Sequence, residues 1–165
     1  MKELFQGRRF GFAPRPALAF LAVGLGIAVT LSDLMAWFGW GARDTSGFAV
    51  VSYWLAAATA VVAAVALLAG LAEYVDVPEE ERALARLDLV GALTGFLLYA
   101  GSTVFRATDI GAAAAAPVPF LIAVAALLVL LVDATIAANL YGAREWEALE
   151  EEPRERHQRR RAAVH

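Results

Sequence analysis

Four apolar stretches, separated by short polar or glycine-containing connections, set the pattern of this chain. They cover residues 17–38, 48–71, 87–105 and 118–141. A helix needs roughly 20 apolar residues to cross about 30 Å of hydrocarbon, and each stretch meets that within a turn at its ends. The pattern predicts an all-α polytopic membrane protein: an antiparallel four-helix transmembrane bundle over residues 17–142. A basic and aromatic arm, 1–16, precedes it and a charged tail, 143–165, follows. The first connection holds Gly39, Gly41, Arg43, Asp44 and Gly47, all suited to a turn. Asp76-Val77-Pro78-Glu79 reads as a helix start, with Asp as N-cap and Pro in the first turn. Helix three then begins before its apolar stretch and runs through Arg82 and Arg86. Beyond the fourth stretch, Pro153 is expected to stop any continuing helix.

Composition sharpens this picture. The chain is 60% hydrophobic with a mean hydropathy of +0.59, above the roughly 45–50% apolar content of soluble domains. The first stretch is longer than a signal-peptide core, and Trp37-Phe38-Gly39-Trp40 is a poor cleavage site, so an uncleaved helix is expected. Twelve of the fourteen Lys and Arg residues fall in the N-terminal arm, the second connection and the C-terminal tail; Arg43 and Arg106 are the others. By the positive-inside rule both termini are expected in the cytoplasm, with the protein in the cell's inner (cytoplasmic) membrane. Trp37, Trp40, Tyr53 and Trp54 would mark the outer interface, and Tyr74, Tyr141 and Trp146 the inner one. Phe5, Phe10 and Phe12 among arginines fit either an arm on the inner leaflet or a disordered tail.

Ionisable residues inside the stretches are the candidates for chemistry, because each costs roughly 2.5–3.5 kcal/mol at a helix centre. Asp33 lies about 24 Å along its stretch and Asp133 about 22 Å along the antiparallel fourth, which puts them in opposite leaflets. A shared-proton pair between those two is therefore not expected. Two polar patches are. Asp33 would gather Thr30, Ser32, Ser52, Ser102 and Thr103, with Arg106 reaching toward it. Asp88 and Asp133 would lie with Glu73, Asn139 and Tyr141, near Arg82 and Arg86. These patches read either as a proton or small-solute path or as hydrogen-bonded ties between helices. Gly91 and Gly95 form a GxxxG spacing, which serves a dimer face or packing within one bundle.

What the chain lacks narrows the chemistry. It has no cysteine, and its histidines, His157 and His165, both lie in the tail. A bis-His haem inside the bundle is impossible, and no metal cluster, Ser-His-Asp arrangement or phosphate-cradling loop can be assembled. No catalytic residue and no cofactor are predicted. The basic run within 154–161 is neutralised in part by acidic neighbours and points to lipid rather than nucleic acid. The expected partners are the bilayer and either another membrane protein or further copies of the chain.

Several landmarks carry a family resemblance. Arg15-Pro16 opens the first helix, Asp33 lies near its end, and Tyr53-Trp54 opens the second. Gly70-Leu71-Ala72-Glu73-Tyr74, Arg82-Ala83-Leu84-Ala85-Arg86 and Asn139-Leu140-Tyr141 follow. Over about residues 15–141 the chain resembles the bacterial membrane proteins grouped as domain of unknown function 2231. The resemblance implies the four-span architecture and the aspartate of helix one. Some members accompany redox modules, which would imply an electron-transfer partner. This chain departs where that family carries histidines: Arg15 and Phe20 stand at the two positions in helix one, and Asp88 at the start of helix three. The reading as a whole is a non-enzymatic accessory or assembly subunit, with a proton or small-solute pathway through the aspartates as the alternative.

Overall fold

A computed structural model describes residues 14–40, 47–75, 77–110 and 116–162, with side chains described as far as Tyr141. Four α-helices make up the described residues: α1 (Pro14–Trp37), α2 (Gly47–Tyr74), α3 (Arg82–Ala107) and α4 (Pro117–Ala162). A single 3-10 turn, Glu79–Glu81, leads into α3. All four are long and apolar enough to cross a membrane. Each helix packs against its sequence neighbours and α1 closes the ring against α4, so α1 and α3 face each other across the diagonal. The starts of α1 and α3 therefore lie at the same end as the membrane exit of α4. We call this the terminal end, and the other the loop end.

The buried positions recur with a strict seven-residue repeat. In α1 they include Arg15, Ala19, Ala22, Gly26, Val29, Asp33 and Ala36, stepping alternately by four and three. In α3 they are Ala85, Asp88, Ala92, Gly95, Tyr99, Ser102 and Arg106, in the same rhythm. Helix α2 repeats it through Ala49, Ser52, Ala56, Thr59, Ala63, Ala66 and Gly70. Pro119, Ala123, Ala126, Leu130, Asp133, Ala137 and Leu140 complete it in α4. A 3.5-residue repeat keeps one narrow stripe of each helix turned to its partners, the geometry of four-helix bundles.

The chemistry of that stripe is the reverse of a soluble bundle. Small and polar residues are inside, with Ala22 and Ala56 both fully buried, while Phe20 is 54% and Leu121 62% exposed on the outward faces. Water would penalise this arrangement by roughly 25 cal/mol for every Å² of apolar surface left exposed. Lipid does not, and there helices associate through close backbone approach, which small residues permit. The distribution of Leu, Val and Phe on the outside is thus itself the mark of a membrane protein.

Local chemistry sets the helix ends. Gly39 adopts φ 72°, and the N–H groups of Gly39 and Trp40 donate to the carbonyls of Ala36 and Met35, closing α1 with a left-handed glycine cap. At the start of α3, Pro78 precedes the 3-10 turn and no side chain caps it. Asp76, the expected cap, lies outside the described residues, as do residues 1–13, Arg43, Asp44 and most of the alanine run 112–116.

Two expectations are corrected. Helix α1 begins before residue 17, so Arg15 belongs to the helix and is fully buried instead of lying in the arm expected over residues 1–16. Apolar content alone set that boundary, and it passed over a charged residue whose partners lie on other helices. Pro153 does not stop α4, which runs on to Ala162. Proline removes one helix hydrogen bond and crowds the preceding turn at a cost of about 3 kcal/mol. Around it the sequence sets Glu150 before Arg154, Glu152 before Arg156 and Glu155 before Arg159, the four-residue order that supports a helix.

Candidate functional site: two buried charge clusters

Each end of the bundle core holds one arginine, and all four helices contribute around it. At the loop end Arg106 of α3 donates from Nη1 to Asp33 Oδ1 and from Nη2 to Asp33 Oδ2, both at 2.6 Å. Nη1 also donates to Ser52 Oγ of α2 at 2.8 Å, and Nε donates to Ser102 Oγ at 3.2 Å. Nη2 reaches the carbonyl of Pro119 on α4 at 3.4 Å, which also accepts from Ser102 Oγ at 2.8 Å. Every guanidinium nitrogen therefore has an acceptor. One positive and one negative charge meet end-on, the paired geometry that arginine offers a carboxylate.

The cluster at the terminal end is built differently. Arg15 of α1 grips Asp88 of α3 side-on, Nε to Oδ2 at 3.1 Å and Nη2 to Oδ1 at 2.8 Å. The same Nη2 donates to both oxygens of Asp133 on α4, at 2.8 Å each. Nη1 has no acceptor among the described residues. Two carboxylates thus share one cation, and all three side chains are essentially sealed from solvent.

Glycines on the stripe make room for these groups. A Cβ on Gly70 of α2 would stand 3.2 Å from Arg15 Nε, and one on Gly91 would stand 2.8 Å from Asp133 Oδ1. Gly95 in turn receives Leu130 of α4. The GxxxG pair therefore packs against α4 within one bundle. Between the clusters, Tyr99 lies against Gly26 with its buried hydroxyl unpartnered among the described residues, and Thr59 donates to its own helix at Leu55.

Not every candidate residue joins. Arg82 pairs with Glu79, and Arg86 donates to the Tyr74 hydroxyl at 3.1 Å, both at the exposed start of α3 and neither bonded to the aspartates they were expected to lie near. Glu73 is half-buried on α2, about one turn beyond Gly70. Thr30 and Thr103 donate to carbonyls of their own helices, and so does Asn139, which is exposed. Among the described residues no group of three His, Cys, Asp or Glu side chains could hold a metal ion. Arg15 is the functional residue that apolar patterning misses, though a signal for it exists. Arg15 and Asp33 are 18 residues apart on α1, and Asp88 and Arg106 are 18 apart on α3 with the charges exchanged.

Comparison with protein-family models, characterised proteins and solved structures gives no match for this chain.

Proposed function

We propose that this is a non-enzymatic multi-pass protein of the bacterial inner membrane, with both termini cytoplasmic, serving as an accessory or assembly subunit. One observation carries the reading: Arg15, Asp33, Asp88, Arg106 and Asp133, the buried charged residues of the described chain, are all tied to charges on other helices. Side chains used this way latch a bundle. A group kept for catalysis would stand open to a substrate, and these are sealed. The closed bundle then offers its outward apolar faces and its charged tail to lipid and to a membrane partner. The resemblance to domain of unknown function 2231 fits this at the level of architecture and Asp33.

Extraction from the native membrane in mild detergent, followed by native mass spectrometry, tests the proposal. A second protein released in fixed ratio supports it and names the partner; a bare chain or homo-oligomer counts against it. A pathway for protons or a small solute is the second reading, favoured by the Thr59 and Tyr99 hydroxyls buried between the clusters. On that reading Asp33→Asn or Asp133→Asn leaves the protein folded and abundant but abolishes a flux.

A further inference from the structure

The two clusters differ in charge balance, and the imbalance has a chemical consequence. Asp33 and Arg106 neutralise each other. Arg15 faces both Asp88 and Asp133, so with both carboxyls ionised the terminal-end cluster carries one uncompensated negative charge in a fully buried position. Burial of such a charge is costly, and the group that can take up a proton is the usual means of relief. Around the cluster, α1 supplies Arg15, α3 Asp88 and α4 Asp133, while α2 supplies uncharged Gly70, with Glu73 half-buried one turn further toward the terminal end. No second cation faces the site among these groups.

Hydrogen-bond geometry separates the two carboxyls. Asp88 holds the side-on fork, with each oxygen on a different guanidinium nitrogen. Asp133 crowds both oxygens onto Nη2, which already serves Asp88. That nitrogen has two hydrogens for three acceptors, whereas fully buried Nη1 has two hydrogens and no acceptor among the described residues. Asp133 therefore shares one N–H between its two oxygens, where Asp88 has one N–H for each. A metal ion is a poor occupant, because all four carboxylate oxygens already lie within 3.1 Å of a guanidinium nitrogen. A proton needs one oxygen and no added space.

We infer that Asp133 is a proton-binding site, loaded and unloaded through the terminal end of the bundle. A hydronium gives its proton to one Asp133 oxygen and leaves as water, and the cluster passes from one net negative charge to none. The new O–H has an acceptor at hand in Asp88, whose Oδ1 shares Nη2 with it, so the crowding at Nη2 is relieved. The proton enters from the terminal end, since Arg15 lies in the first turn of α1. Toward the loop end the next layers are Leu130 on Gly95 and Tyr99 on Gly26, without a charged group, so exchange runs to one side. This site does not depend on whether the protein has a partner.

Infrared difference spectroscopy of the whole protein in lipid nanodiscs reads the protonated-carboxyl C=O absorption directly. Wild type at neutral pH is expected to show one such group per chain, lost at raised pH with release of one proton. Asp133→Asn abolishes the absorption, while Glu73→Gln retains it. Asp133→Glu, which keeps a carboxyl where the Asn variant fails to fold, shifts its frequency. A wild-type spectrum without the absorption at neutral pH overturns the inference, and so does an absorption that survives in Asp133→Asn or disappears in Glu73→Gln.

Discussion

Asp33 and Arg106 stand 73 residues apart and meet across the bundle diagonal, the same separation that joins Arg15 to Asp88 at the opposite end. Gly26 and Tyr99, in contact midway, share it as well. Helices α1 and α3 are thus held in one register along their length, with the sign of the charges exchanged between the ends. Two end-on bonds of 2.6 Å at Asp33 mean that neither member can be lost alone without leaving a buried charge.

The first expected outcome follows from that pairing. Asp33→Asn leaves the Arg106 guanidinium buried without a counter-charge, and breaking a buried pair in this way costs about 3–5 kcal/mol. The double variant Asp33→Leu with Arg106→Leu removes both charges and should cost several kcal/mol less than the sum of the single changes. Unfolding titrations in mixed micelles measure both; additive losses would mean that the two residues do not act as a pair.

How much of this was legible in the sequence depends on which rule was applied to it. Apolar length alone located all four helices, because in lipid the outward residues are the apolar ones and run almost without interruption. The same rule hid Arg15, since a charge at the edge of an apolar run looks like the start of a tail. The stripe that places the site is written in small and polar residues. In α3 the sequence Ala85, Asp88, Ala92, Gly95, Tyr99, Ser102, Arg106 carries it in full. A search for apolar periodicity passes over it, because the helix is apolar on most of its circumference. Arg106 could be matched to Asp33 from depth, but the partner of Asp88 could not: Arg82 and Arg86 are nearer to it in sequence, yet both lie on the exposed side of α3.

Close approach at Gly26 gives a second expected outcome. A methyl group there would collide with the Tyr99 hydroxyl, whereas one on Gly24 meets nothing within 4 Å. Gly26→Ala should lose about 1–3 kcal/mol through overpacking, and Gly24→Ala should gain up to about 1 kcal/mol from helix propensity. Adding Tyr99→Phe to Gly26→Ala removes the colliding oxygen and should recover most of the loss. Equal effects at Gly24 and Gly26 would contradict the diagonal register.

Gly91 and Gly95 face Asp133 and Leu130 of the same bundle. Alanine at either position should therefore cost about 1–3 kcal/mol of stability without altering the number of chains per particle. Size-exclusion chromatography with light scattering, run beside the unfolding titration, separates the two effects. A change in oligomeric state with stability intact would return these glycines to a dimer face.

Sidedness can be read with unusual clarity because the chain contains no cysteine. Trp40 follows the glycine cap of α1 at the loop end and Val75 follows α2 at the terminal end, and both are well exposed, 58% and 67%. Single variants Trp40→Cys and Val75→Cys therefore place one reactive thiol at each end of the bundle. With twelve of the fourteen basic residues assigned to the terminal side, the positive-inside rule orients that end toward the cytoplasm. In intact cells a membrane-impermeant maleimide should label Trp40→Cys and spare Val75→Cys until the membrane is opened. The opposite pattern would invert the topology and would make the proton site at Asp133 exchange with the outside, while labelling of both thiols in intact cells would show that the helices do not span the membrane as one oriented bundle.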